Sequence, residues 1–473
     1  MMKSLVSTLA VSVFFFYGCN NSGRTADSNA GKDSTKAAGQ YTPAAIEKLV
    51  QEAYFHCFPI VENYKAIYAY AVNKSSPKYL PFNIAYKSTA LYSPADKFVV
   101  SPNNDTYYTT ANLDLRAEPI IIKVPEVKDR YYSFQLISMV TDNFGYIGTN
   151  STGSKANVYA VTSPNFSGKL PEGVIEIKSP SELVGLIGRT AVNADDPNDV
   201  KKAKQLLEKY QVGVMSKFFP GFPPKPAEPI NFPSFDEADK TNERFFSLLN
   251  FLLPYTKLSA GEQGIINNYK AIGIEAGKPY TFYNDNPDLQ PAISNGIKRA
   301  IAQIDSSSKH LGKIVNGWSM FPLGDYFGNN YTDRTNIAKI GIYANSPKEA
   351  YYPLAFTDSQ GEILDGKHNY SITFPAGNLP PAKFFWSLTM YENSTQLLVE
   401  NPIKRYSIGD RTKSMKPNAD GSLTIYLGHA EPKQGRGNWL PAPAAGFNVM
   451  MRIYGPKENV LDGSWTPPGI IRL

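Results

Sequence analysis

Two stretches of the chain gather side chains that could do chemistry. The first is SPNNDTYYTTANLDL, residues 101–115, which brings Asn103, Asp105 and Tyr108 together, with Arg130, Tyr132 and Asp142 not far downstream. A carboxylate beside an amide and a phenol can move a proton or accept hydrogen bonds from ligand hydroxyls. The second is ENPIKRYSIGDR, residues 400–411, with GNWLPAP, residues 437–443. It offers Arg405, Tyr406, Asp410, Asn438 and Trp439, rings that stack on sugar faces beside groups that bind hydroxyls. The same residues would serve equally well to cap turns and hold long loops onto a folded body, because buried loops need such hydrogen bonds.

Asp105 stands at a joint. Behind it, Tyr107, Thr109, Ala111 and Leu113 alternate with Thr106, Tyr108, Thr110 and Asn112. Successive strand side chains point to opposite faces, so this is a half-buried strand with one mostly apolar face. Extending the parity puts Asp105 on the apolar side, where a carboxylate must find hydrogen bonds. The expectation is a turn cap that accepts backbone N–H bonds from residues 101–104.

Other constellations are missing from the sequence. There is no G-x-S-x-G, no phosphate-binding G-x-x-x-x-G-K-[ST], and no dinucleotide fingerprint after a strand. The four histidines, His56, His310, His368 and His429, lie too far apart for a local metal pair, so no metal and no cofactor is expected. With 42 Asp and Glu, a carboxylate pair is always available and never diagnostic.

These groups must be positioned by ordinary elements. Thr42-Pro43 begins a helix that carries Ile46, Leu49, Val50, Ala53, Tyr54 and Cys57 at helical spacing, and Pro59 should kink or break it. Residues 76–180 read as an N-terminal β domain with turn signals about every ten residues. Residues 181–325 read as a helical linking segment. From 326 to 473 the pattern is β again, with half-buried strands, one face to the core and the other to water, alternating at 370–374, 384–391, 422–427 and 447–454. Aromatic residues make up 13% of the chain, including 30 Tyr, which favours strands.

The N-terminus reads as an address. Residues 5–17 form an apolar run, too short to span a bilayer and suited to a signal-peptide core, and Gly18-Cys19 follows. The expectation is a signal peptide over 1–18, lipidation at Cys19, and a flexible tether over 19–40, where no large apolar residue could sustain order. The protein is then exported and anchored in the cell envelope, at the outer membrane or facing the periplasm. Only Cys57 would remain as a thiol, which leaves no intrachain disulfide. A formal charge of +6 over 473 residues, without basic runs interleaved with aromatics, speaks against nucleic acid.

The long motifs carry a resemblance. SPNNDTYYTTANLDL with RYYSFQLISMVTDNFGYIGTNSTG resembles a bacterial domain of unknown function, family 1254. LPPAKFFWSLTMYENSTQLLVENPIKRYSIGDR, DGSLTIYL, NWLPAPAAGFNVMMRIYGP and LDGSWTPPGI resemble its C-terminal companion, family 1214. The resemblance covers nearly all of residues 41–473. It implies two jelly-roll-like β-sandwiches joined by a helical middle, with an N-terminal helical arm at 41–75, an α+β protein dominated by β. It transfers no catalytic residue. Three functions compete: a ligand-binding or envelope-interaction protein, for instance for a saccharide; a hydrolase acting through a carboxylate near Asp105; and an assembly module that pairs subunits through the arm.

Overall fold

The structure is a computed structural model and describes residues 41–97, 101–309 and 311–473. The signal segment, Cys19, the tether and His310 lie outside the described residues. Thr42–Leu473 forms one compact unit. It is a mixed α+β fold of several antiparallel sheets with helices between them.

The long first helix, Pro43–Ile67, starts as its sequence dictates: the Thr42 hydroxyl accepts from Ala45 N–H, and Pro43 occupies the first helical position. Pro59 does not end it. A proline removes the N–H that would bond the carbonyl four residues back. Here that carbonyl, on Phe55, accepts instead from the buried Thr335 hydroxyl at 2.8 Å. The helix therefore runs on into a π-helical turn, Tyr68–Val72. It is no free arm. Val50, Tyr54, Val61 and Tyr64 are buried against Arg244–Leu252, Ala260–Asn268, Gln290–Ser307 and Tyr331–Ile340, so it forms the centre of a helical layer of its own chain.

The N-terminal sandwich pairs Thr106–Asp114 with Leu183–Ala191 in a nine-residue antiparallel register, and Tyr132–Ile137 lies on the far side of the latter. A second sheet, built around Ile120–Val124 and Asn157–Thr162, closes over it. Tyr107, Leu113, Ile122, Phe134, Val161 and Leu186 fill the space between. Four strands lie in the stretch expected to be helical: Leu183–Ala191 and Gln211–Val214 complete this sandwich, and Lys313–Val315 and Trp318–Met320 join a sheet of the C-terminal half. Gly185 and Gly188 thin out the alternation that would have marked the first of them. Gly188 is needed there, because a Cβ would stand 2.7 Å from the Phe134 ring.

The C-terminal sandwich is built on Ala382–Glu392 paired with Phe447–Pro456. Trp386, Leu388 and Met390 meet Ile372, Ile425, Val449 and Met451 in its core. The opposite faces of these two strands were expected to meet water, and they do not. Ser387, Thr389, Tyr391, Arg452 and Tyr454 are all buried. They pack onto the outer face of the N-terminal sandwich, where Tyr131 and Ala191 meet Phe385 and Tyr454. Two half-polar sheet faces thus cover each other.

Candidate functional site

The layer between the sandwiches is rich in hydrogen bonds. Asn103, not Asp105, caps the turn: its Oδ1 accepts from Asp105 N–H at 2.7 Å, and its Nδ2 donates to the Tyr454 hydroxyl at 2.7 Å. Asp105 is 3% exposed, yet its carboxylate takes no bond from residues 101–104. Instead it reaches into the other sandwich. The Ser387 hydroxyl donates to Oδ2 at 2.6 Å, and Arg411 donates to Oδ1 at 3.1 Å. The turn-cap expectation fails: Asn103 caps the turn by accepting from the N–H of Asp105, while the Asp105 carboxylate ties the two halves together.

Two further guanidiniums lie deeper. Arg189 donates to Gln135, Asn345 and the Tyr343 carbonyl, and Arg452 to Thr389, Tyr391 and the Ser101 carbonyl. All these acceptors are formally neutral. Tyr108 is half-buried, with its ring 5.7 Å from Arg189 and 5.5 Å from the Tyr92 ring. Nearby, the Tyr131 hydroxyl donates to Glu349 at 2.7 Å, and burial pushes the Glu349 carboxyl above the usual range.

At one rim this layer opens into a cleft of about 530 Å³. Residues 127–131, 149–154 and 191–199 form one side, and Lys383, Phe384, Phe385 and Arg411 form the other. Arg130 lines it, but its donors are all spent: on Asp129, on Asp199 and on the Ala191 carbonyl. Arg411 donates to the Val192 carbonyl at 3.0 Å and lies 3.7 Å over the Phe385 ring.

The second sequence cluster does not assemble into a cleft. Arg405 donates to the carbonyls of Arg436, Gly437 and Trp439. Asn438 brackets Lys416 and bonds the Thr424 carbonyl, and the Trp439 indole N–H is bound to Gly428. Tyr406 is half-buried against Tyr391 and Met450. Asp410 is exposed and accepts from Trp386 N–H at 3.3 Å. These residues hold loops onto the sandwich. Tyr132 lies in the sandwich core, and Asp142 joins a separate ion cluster with Arg334 and Glu262. Among the described residues, no group of acidic, His and Cys side chains could hold a metal, and no helix is long and apolar enough to cross a membrane.

Sequence reasoning missed Arg411, Ser387, Lys383 and the Phe384-Phe385 pair as cleft or interface groups. A signal was present. The faces taken as solvent-facing carry Phe385, Ser387, Thr389, Tyr391, Met450, Arg452 and Tyr454, with no Lys or Glu among them. Aromatics, hydroxyls and Arg without Lys or Glu are what buried contacts favour.

Family comparison agrees with this division into halves. Residues 82–213 match the family model described as a protein of unknown function, DUF1254, and residues 349–458 match that of DUF1214. These two segments are thus similar to the two families. The VPA0106 protein from Vibrio parahaemolyticus has a similar structure, with a TM-score of 0.72 at 26% identity, covering 90% of this chain and 100% of that one. An uncharacterized protein from Burkholderia cenocepacia reaches a TM-score of 0.41 at 13% identity, over 89% of this chain and 88% of its own. No curated protein matches the chain.

Proposed function

We propose that the chain is a small-molecule-binding protein of the cell envelope and that its ligand sits in the cleft between the sandwiches. The cleft itself carries this reading. Its volume suits a small ligand, both halves of the molecule build it, and it combines an aromatic wall with hydrogen-bonding groups. The carboxylate that a hydrolase reading would use, Asp105, is engaged by Ser387 and Arg411. Support for binding is therefore stronger than for hydrolysis. The long helix packs into its own chain, which weakens the assembly reading.

Location follows from the N-terminus. The apolar run 5–17 and Gly18-Cys19 support export, with Cys19 as the lipid-bearing residue and the folded body held near a membrane. Cys19→Ala should move the protein from the membrane fraction to the soluble fraction on cell fractionation. An unchanged distribution would remove the anchor from the proposal.

The binding reading is tested with residues 41–473 in a thermal-shift panel of saccharides, lipids and small organic acids, repeated on Ser154→Trp, which fills the cleft from one wall. A true ligand raises Tm with concentration, by mass action on the folded state. The shift should vanish in Ser154→Trp. A shift that survives the blocked cleft would place the ligand elsewhere.

A further inference from the structure

The geometry points to a carboxylated saccharide as the ligand of this cleft, with Arg411 and Lys383 as its anion contacts; this rests on the binding reading above. The first argument is charge. Four cations, Lys128, Arg130, Lys383 and Arg411, line the cleft with two acids, Asp129 and Asp199; Lys128 pairs with Glu126 and Arg130 with both lining acids, so Lys383 and the exposed part of Arg411 carry the attraction for an anion. The second is availability. Both acids are already engaged by Arg130, and Asp199 also accepts from Asn193 N–H at 2.7 Å. Two carboxylates sharing one guanidinium leave that wall net negative, so an anion is directed to the opposite wall, where Arg411 and Lys383 stand.

Arg411 differs from Arg130. A guanidinium has five N–H donors. Arg411 uses three contacts, to the Asp105 carboxylate, the Asp105 carbonyl and the Val192 carbonyl. Its side chain remains 27% exposed, whereas that of Arg130 is 5% exposed. Donors are thus left to the cleft, and stacking on Phe385 fixes the plane of the group. Lys383, two residues before Phe385, is exposed, with no ion pair among the described residues. Planar guanidinium matches carboxylate, and an ammonium adds a second charge.

The remaining lining favours a sugar over a fatty acid. Half-buried Phe384 offers an aromatic face and Ser154 a hydroxyl for the sugar ring, whereas the Thr149 hydroxyl is bonded to the Tyr132 backbone and the Asn193 amide to Arg411 and Asp195. A long alkyl chain would find little apolar wall beyond Val127 and the two phenylalanines.

The test is isothermal titration of residues 41–473 with trigalacturonate and with its fully methyl-esterified form, which keeps the sugar and removes the charge. Trigalacturonate should bind, and the ester should bind about tenfold more weakly or worse. Lys383→Gln, an exposed change, should weaken trigalacturonate while leaving the ester unchanged. Arg411→Gln should weaken it further. Because that variant also strips Asp105 of its partner, its circular dichroism must first match wild type, and Lys383→Gln stands alone if it does not. Equal binding of acid and ester, or no effect of Lys383→Gln, overturns the carboxylate contact and leaves the cleft as a sugar site. Binding of neither probe overturns the saccharide class. Binding that persists in Ser154→Trp overturns the cleft itself.

Discussion

At the scale of single residues, the buried ion cluster makes stability depend on pH in two opposing ways. Burial pushes the Asp142 carboxyl up to about 6, despite the Arg334 guanidinium at 3.2 Å. An unfolded Asp titrates near about 4. Between those values the folded chain holds a proton that the unfolded chain has lost. The contribution of Asp142 is therefore greatest below about pH 4 and is lost as pH rises toward about 6. His56 runs the other way. Burial, helped by Arg334, lowers its pKa to about 4. Its contribution is present above the unfolded value of about 6.5 and is lost as pH falls toward about 4. Urea unfolding across this range should show the gap between wild type and Asp142→Asn narrowing as pH rises. The gap to His56→Gln should widen over the same range. Two gaps that do not change with pH would mean that these groups titrate alike in folded and unfolded chains.

At the scale of elements, the long helix depends on a residue nearly three hundred positions away. Pro59 leaves the Phe55 carbonyl without its helical partner, and Thr335, itself buried, supplies the missing donor. Thr335→Val keeps the shape and removes the hydroxyl. It should cost about 1–3 kcal/mol, the usual range for orphaning a buried acceptor. Adding Pro59→Ala restores a backbone N–H to Phe55, so the double variant should recover most of that loss. Additive or larger damage in the double variant, measured by denaturant unfolding, would show that the hydroxyl matters for another reason. The same helix also ties the layers together. Asn63 donates to the carbonyls of Ser138 and Met139 and accepts from the Tyr343 hydroxyl.

At the scale of the whole molecule, the two sandwiches should not separate. Each presents to the other a face that would be costly to expose and costly to leave half-paired: Asp105 with Ser387 and Arg411, Asn103 with Tyr454, and Tyr131 with Glu349. The helical layer adds its own bonds to the N-terminal half through Asn63. Calorimetry of residues 41–473 should therefore give one transition, with the calorimetric enthalpy equal to the van't Hoff enthalpy. Two resolved transitions would mean that the polar layer does not couple the halves. Expressed alone, residues 326–473 should be poorly soluble, because Phe385, Tyr391 and Tyr454 would then face water.

Much of this protein was written locally. The cap at Thr42 and the alternations at 106–114, 384–391 and 447–454 rest on short-range periodicity and backbone chemistry, which the chain carries in itself. The family resemblance likewise rests on contiguous motifs. Tertiary structure decided what the polar faces meet. Alternation tells which side chains share a face, but not whether that face is covered by water or by another sheet. So Ser387 and Arg452 read as surface residues and proved to be buried, and Asp105 read as a local cap while its partners lay in the other sandwich. The cleft, made by side chains some two hundred to three hundred positions apart, could exist only once two separately encoded sandwiches had packed against each other.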